Sequence, residues 1–219
     1  MRLRRKPWID TAILDYADFV TPLGGDWAAL TGHWAETFGR SAPLHVEIGV
    51  GKGCFLTELA AQSPDVNYVG LEAQQGVLYF AARKAAERGL KNVRLVVFDA
   101  ARLTELFAPA EVDRIYLNFS DPWPKARHAK RRLTSPLFLA RYRAVLRADG
   151  ELRFKTDNMG LFDYSLETMA AEGWHLSEVT HDLHALGEAD NIMTEYERKF
   201  SVRGAKIGRL VARPPVEQG

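Results

Sequence analysis

Cysteine is nearly missing from this chain of 219 residues: Cys54 stands alone, so no disulfide can close within it. The six histidines have no ligand-like spacing such as H-x-x-x-H on a helix, and no metal site is expected. No stretch approaches the run of about 18 apolar residues that a membrane-spanning helix needs. Met1 to Asp10 is Arg-rich but has no apolar core of an export signal. These absences predict a cytoplasmic protein that uses no membrane, with no obligate protein partner evident. Neither sign of charge is in excess, since 29 Lys and Arg stand against 28 Asp and Glu for a net charge of +1. A chain that binds polyanions by being basic all over is therefore excluded, and any nucleic-acid surface has to come from local clusters of cations. Internal repeats and low-complexity tracts are lacking as well.

What is there fits one globular α/β unit. A hydrophobic content of 47% is enough for one substantial core. The organisation predicted is a basic segment and leading helix over 1–40, a main domain over 41–204 and a tail over 205–219, together forming a single domain. Asp26 caps a helix through about Phe38. Apolar runs predict strands at Leu44 to Ile48, Asn67 to Leu71, Val93 to Phe98, Asp113 to Asn118 and Glu151 to Lys155. Helical periodicity falls between them at Phe55 to Ala61, Val77 to Arg88 and Pro136 to Arg147, and after them at Leu161 to Ala171. A final pair, Trp174 to Thr180 and Tyr196 to Val202, reads as two strands with no helix between. Alternating βα units that end this way predict a Rossmann-like α/β fold: a seven-stranded, mostly parallel sheet with an antiparallel last strand and helices on both faces. In such sheets ligands lie beyond the carboxyl ends of the strands.

The first strand runs into Glu47-Ile48-Gly49-Val50-Gly51-Lys52-Gly53, a glycine turn that feeds a helix and lets a ligand reach bare backbone N–H groups. A P-loop would require Ser or Thr after Gly-Lys, and Gly53 stands there. A dinucleotide fold would require G-x-x-G in the second half, and Gly51 and Gly53 are too close together. Glu72 ends the second strand, where a carboxylate accepts hydrogen bonds from ribose hydroxyls. Asp99 ends the third, where its plainer reading is an N-cap for the turn from Ala100. Three acids on three consecutive strand ends point to a nucleoside-type cofactor.

The fourth strand delivers Asn118-Phe119-Ser120-Asp121-Pro122-Trp123-Pro124-Lys125. Two prolines stiffen this loop. Five Lys or Arg then fall within the eight residues from Lys125 to Arg132, and Lys125, Arg127, Lys130, Arg131 and Arg132 are expected to bind RNA phosphates. Cys54 reads as small buried filler rather than as a nucleophile.

The pattern E-x-G-x-G-x-G resembles the first motif of class I S-adenosylmethionine-dependent methyltransferases. The string from Asp121 to Leu133 resembles the D-P-W-P-K-x-R-H-x-K-R-R-L signature of bacterial tRNA (guanine-N7)-methyltransferases, departing from the expected pattern at Ser120, Ala126 and Ala129. Phe154 to Asn158 and Thr194 to Phe200 agree with that family. The resemblance implies a class I methyltransferase fold, S-adenosylmethionine as donor, and N7 of a guanine in the tRNA variable loop (nucleotide 46 in the family) as acceptor. It assigns the cofactor to Glu47, Gly49, Gly51, Glu72, Asp99 and Asp121, with Asp121 also the catalytic acid. It assigns the substrate to Lys125, Asp157 and the stretch from Thr194 to Glu197. Asp121, with Asp157 or Glu197, would accept hydrogen bonds from guanine N1–H and the amino group. Methylation of another RNA, a protein or a small molecule remains open at this level, as does an RNA-binding module without turnover; a dehydrogenase is disfavoured by the glycine spacing.

Overall fold

The computed structural model describes residues 6–21, 26–187, 191–201 and 204–215. Arg2, Arg4 and Arg5, and the residues after Pro215, lie outside them. The chain gathers into two compact units, residues 1–106 and 107–219.

In the first unit a short helix α1 (Ile9–Ala12) and a following 3-10 turn bury Ile9 and Ile13, which pack with Leu78, Ala82 and other core residues of the unit. The chain then meets the sheet through an isolated bridge between Val20 and Leu95. The single helix expected from Asp26 to Phe38 is instead a 3-10 turn, Ala28–Leu30, and a separate helix α2 (Trp34–Phe38). Between them Thr31 is extended and Gly32 is left-handed, and the Thr31 hydroxyl donates to the Glu105 carbonyl at 2.8 Å. An extended residue held by a distant acceptor and followed by a left-handed glycine breaks the helix.

Strands β1 (Leu44–Ile48), β2 (Asn67–Glu72) and β3 (Val93–Val97) pair in parallel. Helix α3 (Cys54–Gln62) connects the first two and α4 (Gln75–Glu87) the second two. Burial at Leu78, Tyr79, Ala81, Ala82 and Ala85 gives α4 an inward face at helical spacing. The helix ends in a Schellman turn, with Gly89 left-handed and the Leu90 amide donating to the Ala85 carbonyl.

Gly53 precedes α3 with φ +75°, and a Cβ placed there would come within 2.7 Å of Ala81 Cβ and 2.9 Å of its Cα. Gly53→Ala therefore forces α3 off α4 and adds left-handed strain. It should cost about 2–4 kcal/mol, seen as a fall in unfolding temperature of roughly 5–15 °C.

In the second unit β4 (Val112–Asn118) pairs in parallel with β5 (Leu146–Thr156). Between them lies α5 (Pro136–Val145), with Pro136 at its first turn. Helix α6 (Met159–Ala171) begins at an Asn158 cap and packs Phe162 on Phe154; strand β6 (His175–Thr180) follows. The next element corrects the sequence reading. Tyr196 to Val202, expected as the last strand, is occupied over its described part by helix α7 (Glu195–Ser201), and a 3-10 turn at His184–Leu186 precedes it. The last strand is β7 (Gly208–Arg213), within the stretch expected as a tail, and it runs antiparallel to β5 and β6. A Cβ on Gly208 would come within 2.7 Å of the Phe162 ring, so α6 fixes where this strand enters.

The strand order is β3-β2-β1-β4-β5-β7-β6, a seven-stranded sheet whose last strand in sequence is the antiparallel one, as expected. No helix among the described residues is long and apolar enough to cross a membrane.

Candidate active site

The expected cofactor residues are all in the first unit except Asp121. Glu47 is 2% exposed on β1. Gly49 and Gly51 have φ of +79° and +56°, which other residues rarely adopt. The Gly49 and Val50 amides donate to the Leu71 carbonyl at 2.8 and 2.9 Å, folding the turn back on β2. A Cβ on Gly49 would meet nothing within 4 Å, and one on Gly51 only the Gly49 carbonyl oxygen at 4.0 Å. The two glycines thus expose backbone to open space that a ligand can enter, whereas Gly53 serves helix packing.

Glu72 ties the next loop to this turn. One of its oxygens accepts from the Gly51 amide at 3.3 Å and the other from the Gln74 amide at 3.1 Å. Asp99 is exposed and accepts from the Ala101 amide at 2.9 Å, so its capping role is real, and its side chain stands in solvent as well. Cys54 is half-buried and receives the Lys84 ammonium at 2.5 Å, which corrects its reading as buried filler. A buried acid, two ligand-accessible glycines and two solvent-reaching acids at the carboxyl ends of β1 to β3 suit a cationic nucleoside. Glu47 offers negative charge to an ammonium group, and Glu72 and Asp99 offer acceptors to hydroxyl and amino donors.

The second unit holds the substrate residues. Beyond β4 the chain adopts left-handed geometry at two non-glycine residues, Phe119 (φ 53°) and Trp123 (φ 40°), on either side of exposed Asp121. Such conformations cost about 1–3 kcal/mol each and persist only where surroundings impose them. Here Arg132 does so: its Nε and Nη2 donate to the carbonyls of Pro122 and Trp123 at 3.1 to 3.3 Å, and its guanidinium lies 4.1 Å from the Tyr164 ring centroid on α6. Nε and Nη2 of Arg132, which is half-buried, are thus engaged by the turn itself, a structural role that the row of cations does not disclose. Lys125, Arg127, Lys130 and Arg131 are exposed around a 3-10 turn (Ala126–Arg131), with Arg131 over the Trp123 ring at 4.8 Å.

Arg132→Ala should release the D-P-W-P turn and lower methyl-transfer kcat by about tenfold or more. Arg132→Lys should fail to rescue it, since an ammonium cannot reproduce the planar fork over Tyr164. Recovery of parental kcat in the Lys variant would show that the clamp is dispensable.

Asp157, at the end of β5, accepts from the Tyr196 hydroxyl at 3.3 Å. The phenol is held above its ordinary pKa, first by desolvation and then by the negative charge of Asp157. The Tyr196 ring, 43% exposed, lies 5.1 Å from that of Phe119, which brings α7 to the base of the Asp121 loop.

Thr194 and Glu197 are buried at 9% and 0% exposure. The Thr194 hydroxyl accepts from the Glu197 amide at 2.9 Å and the Glu197 carboxylate accepts from the Thr194 amide at 3.4 Å, a capping box that starts α7. Thr194-Glu195-Tyr196-Glu197 carries that signature in sequence, and it announces a helix. The structure adds Lys155, Phe119 and Tyr164 to the residues that shape the candidate site.

A family model described as "Putative methyltransferase" matches residues 41–210. A tRNA (guanine-N(7)-)-methyltransferase of Geobacillus kaustophilus is 52% identical over 216 residues, covering 98% of both chains. One of Streptococcus suis is 53% identical over 181 residues, covering 83% of this chain and 85% of its own. Among solved structures, the 16S rRNA methyltransferase KamB aligns with a TM-score of 0.63 at 15% identity over 84% of this chain and 93% of its own. A point mutant of the 16S rRNA (adenine(1408)-N(1))-methyltransferase from Catenulisporales acidiphilia, solved with SAM as cosubstrate, aligns at 0.59 and 19% identity over 86% of this chain and 92% of its own. At such identities the two structures speak to the fold, a Rossmann-like class I methyltransferase fold.

Proposed function

This chain belongs to the family of tRNA (guanine-N7-)-methyltransferases, and from that premise we propose that it methylates N7 of a guanine in the tRNA variable loop, at nucleotide 46, with S-adenosylmethionine as donor. When bound, that cofactor supplies a methyl group activated by a sulfonium centre. The observation that carries the reading is the acceptor side: an exposed carboxylate, Asp121, on a clamped and strained turn, with Asp157, Tyr196 and a row of exposed cations in the same unit.

Guanine N7 presents an in-plane lone pair that needs no deprotonation before attack. What the protein has to supply is alignment, worth effective molarities on the order of 10⁵ M or more. Asp121 and Asp157 present acceptors suited to guanine N1–H and the exocyclic amino group, a pairing adenine cannot satisfy. Glu47, Gly49, Gly51, Glu72 and Asp99 hold the donor. Lys125, Arg127, Lys130 and Arg131 bind flanking phosphates, which offsets the few kcal/mol spent on unstacking the target base.

The test is transfer of labelled methyl to unmodified tRNA transcripts in which each variable-loop guanine is replaced in turn. Label lost with one guanine, and chain cleavage at that position after N7-specific treatment, is the expected result. Labelling that survives every replacement overturns the assignment of the target.

A further inference from the structure

Glu197 is completely buried, and both of its oxygens are occupied within the protein. One accepts from Lys155 Nζ at 2.9 Å and from the Thr194 amide at 3.4 Å; the other accepts from Asn191 Nδ2 at 2.7 Å and lies 3.3 Å from His184 Nε2. Lys155 is itself 8% exposed along its side chain. Besides Glu197 it donates to Asn191 Oδ1 at 3.1 Å and the Ile192 carbonyl at 3.0 Å. A strand-end lysine and a helix-start glutamate, 42 residues apart in sequence, thus fasten residues 191–197 to the end of β5.

The consequences reach the surface through two neighbours. Tyr196 sits beside Glu197 on α7, donates to Asp157 and lies against Phe119; Asp157 is two residues beyond Lys155 on the β5 side, and the Lys155 carbonyl accepts the Phe119 amide at 2.9 Å. The buried ion pair therefore fixes α7 and its Tyr196 to the end of β5, the same strand end that carries Asp157 and, through the Lys155 carbonyl, takes the first residue of the Asp121 loop. We infer that Lys155 and Glu197 form a latch that positions Tyr196, Asp157 and the Asp121 turn for guanine, and that Glu197 acts through them rather than by touching the base. This rests on the assignment of that side of the second unit to guanine.

A buried ion pair loses most when one partner is removed, because the other charge is left uncompensated, and little when both are replaced by neutral groups. Lys155→Met and Glu197→Gln suit the test, since Gln preserves the capping box with Thr194. Each single variant should unfold about 10 °C earlier than the parent. Each should also lose at least about tenfold in kcat/KM for tRNA, with KM for S-adenosylmethionine unchanged. The double variant should recover most of both losses. It should also keep the parental ratio of rates on guanine and on inosine at the target position, because inosine lacks only the amino group that a base-reading carboxylate would recognise.

A double variant as stable as the parent but as inactive as Glu197→Gln, or one that no longer distinguishes guanine from inosine, places Glu197 on the base and overturns the latch. A double variant as unstable as the singles shows that the two charges do not compensate one another, and overturns it equally. If the parent enzyme itself fails to methylate the guanine transcript, the assigned function fails instead, and the unfolding measurements still decide whether the pair is coupled.

Discussion

Asp121→Ala lowers kcat for methyl transfer to tRNA by on the order of 10²- to 10³-fold, with an unfolding temperature within about 2 °C of the parent. The two halves of that expectation come from different observations. Stability is spared because the Asp121 side chain is exposed and the turn around it is held by Arg132 through the carbonyls of Pro122 and Trp123. Activity is lost because a reaction that requires no proton removal depends on orientation, and Asp121 is the exposed acceptor that the strained turn presents. A fall of that size corresponds to roughly 3–4 kcal/mol of transition-state stabilisation. Initial rates under saturating substrates give kcat, and circular dichroism on the same preparation gives the unfolding temperature. Asp121→Asn separates charge from shape: it retains an acceptor oxygen but can place an amide against the guanine donors, and it should fall between the two. Near-parental turnover by a folded Asp121→Ala enzyme would take the role away from this residue.

Those parts of the candidate site that are local in the chain are legible in the sequence. The glycine turn after β1 and the acids Glu72 and Asp99 were legible because each sits where a strand ends, and a strand end is marked by the apolar run before it. The loop from Asn118 to Arg132 was legible through its prolines and cations. What stayed hidden depends on partners distant in the chain. Nothing near Arg132 says that Tyr164 will lie under its guanidinium, so by sequence it is one more cation in a row of five. Nothing near Lys155 says that Glu197 will neutralise it.

The misplacement of the last strand has a different cause, because a local signal was available. Tyr196 and Phe200 suggest strand propensity, yet Thr194 and Glu197 spell a capping box, and capping chemistry fixes a helix start more firmly than propensity fixes a strand. Assigning α7 correctly moves the seventh strand to Gly208–Arg213, whose Arg-Leu-Val-Ala core lies in the stretch that reads as tail. The 3-10 turn and α2 carry the same lesson at smaller scale. Asp26 is well suited to cap a helix, but Gly32 and the bond from Thr31 to Glu105 stop one from continuing.

The cofactor side yields the second large effect. Glu72→Leu raises KM for S-adenosylmethionine by about 10- to 100-fold, as hydrogen bonds to a charged group are worth about 1.5–3 kcal/mol, while KM for tRNA is unchanged. Two losses combine in this variant. The carboxylate is no longer available to ligand hydroxyls, and the amides of Gly51 and Gln74 lose their acceptor, so the glycine turn is less firmly set before any ligand arrives. Glu72→Gln distinguishes them, since a neutral amide keeps one acceptor for the turn but pairs less strongly with a diol. If Gln behaves like the parent, turn geometry carries the effect; if it behaves like Leu, the charge carries it. Asp99→Ala is the natural comparison, and a smaller change is expected there. Its carboxylate is more exposed and caps a 3-10 turn rather than joining two loops, so its removal leaves the glycine turn undisturbed. A rise in KM for tRNA in the Glu72 variants, with cofactor KM unmoved, would transfer Glu72 from the donor side to the acceptor side and require the assignment of both units to be exchanged.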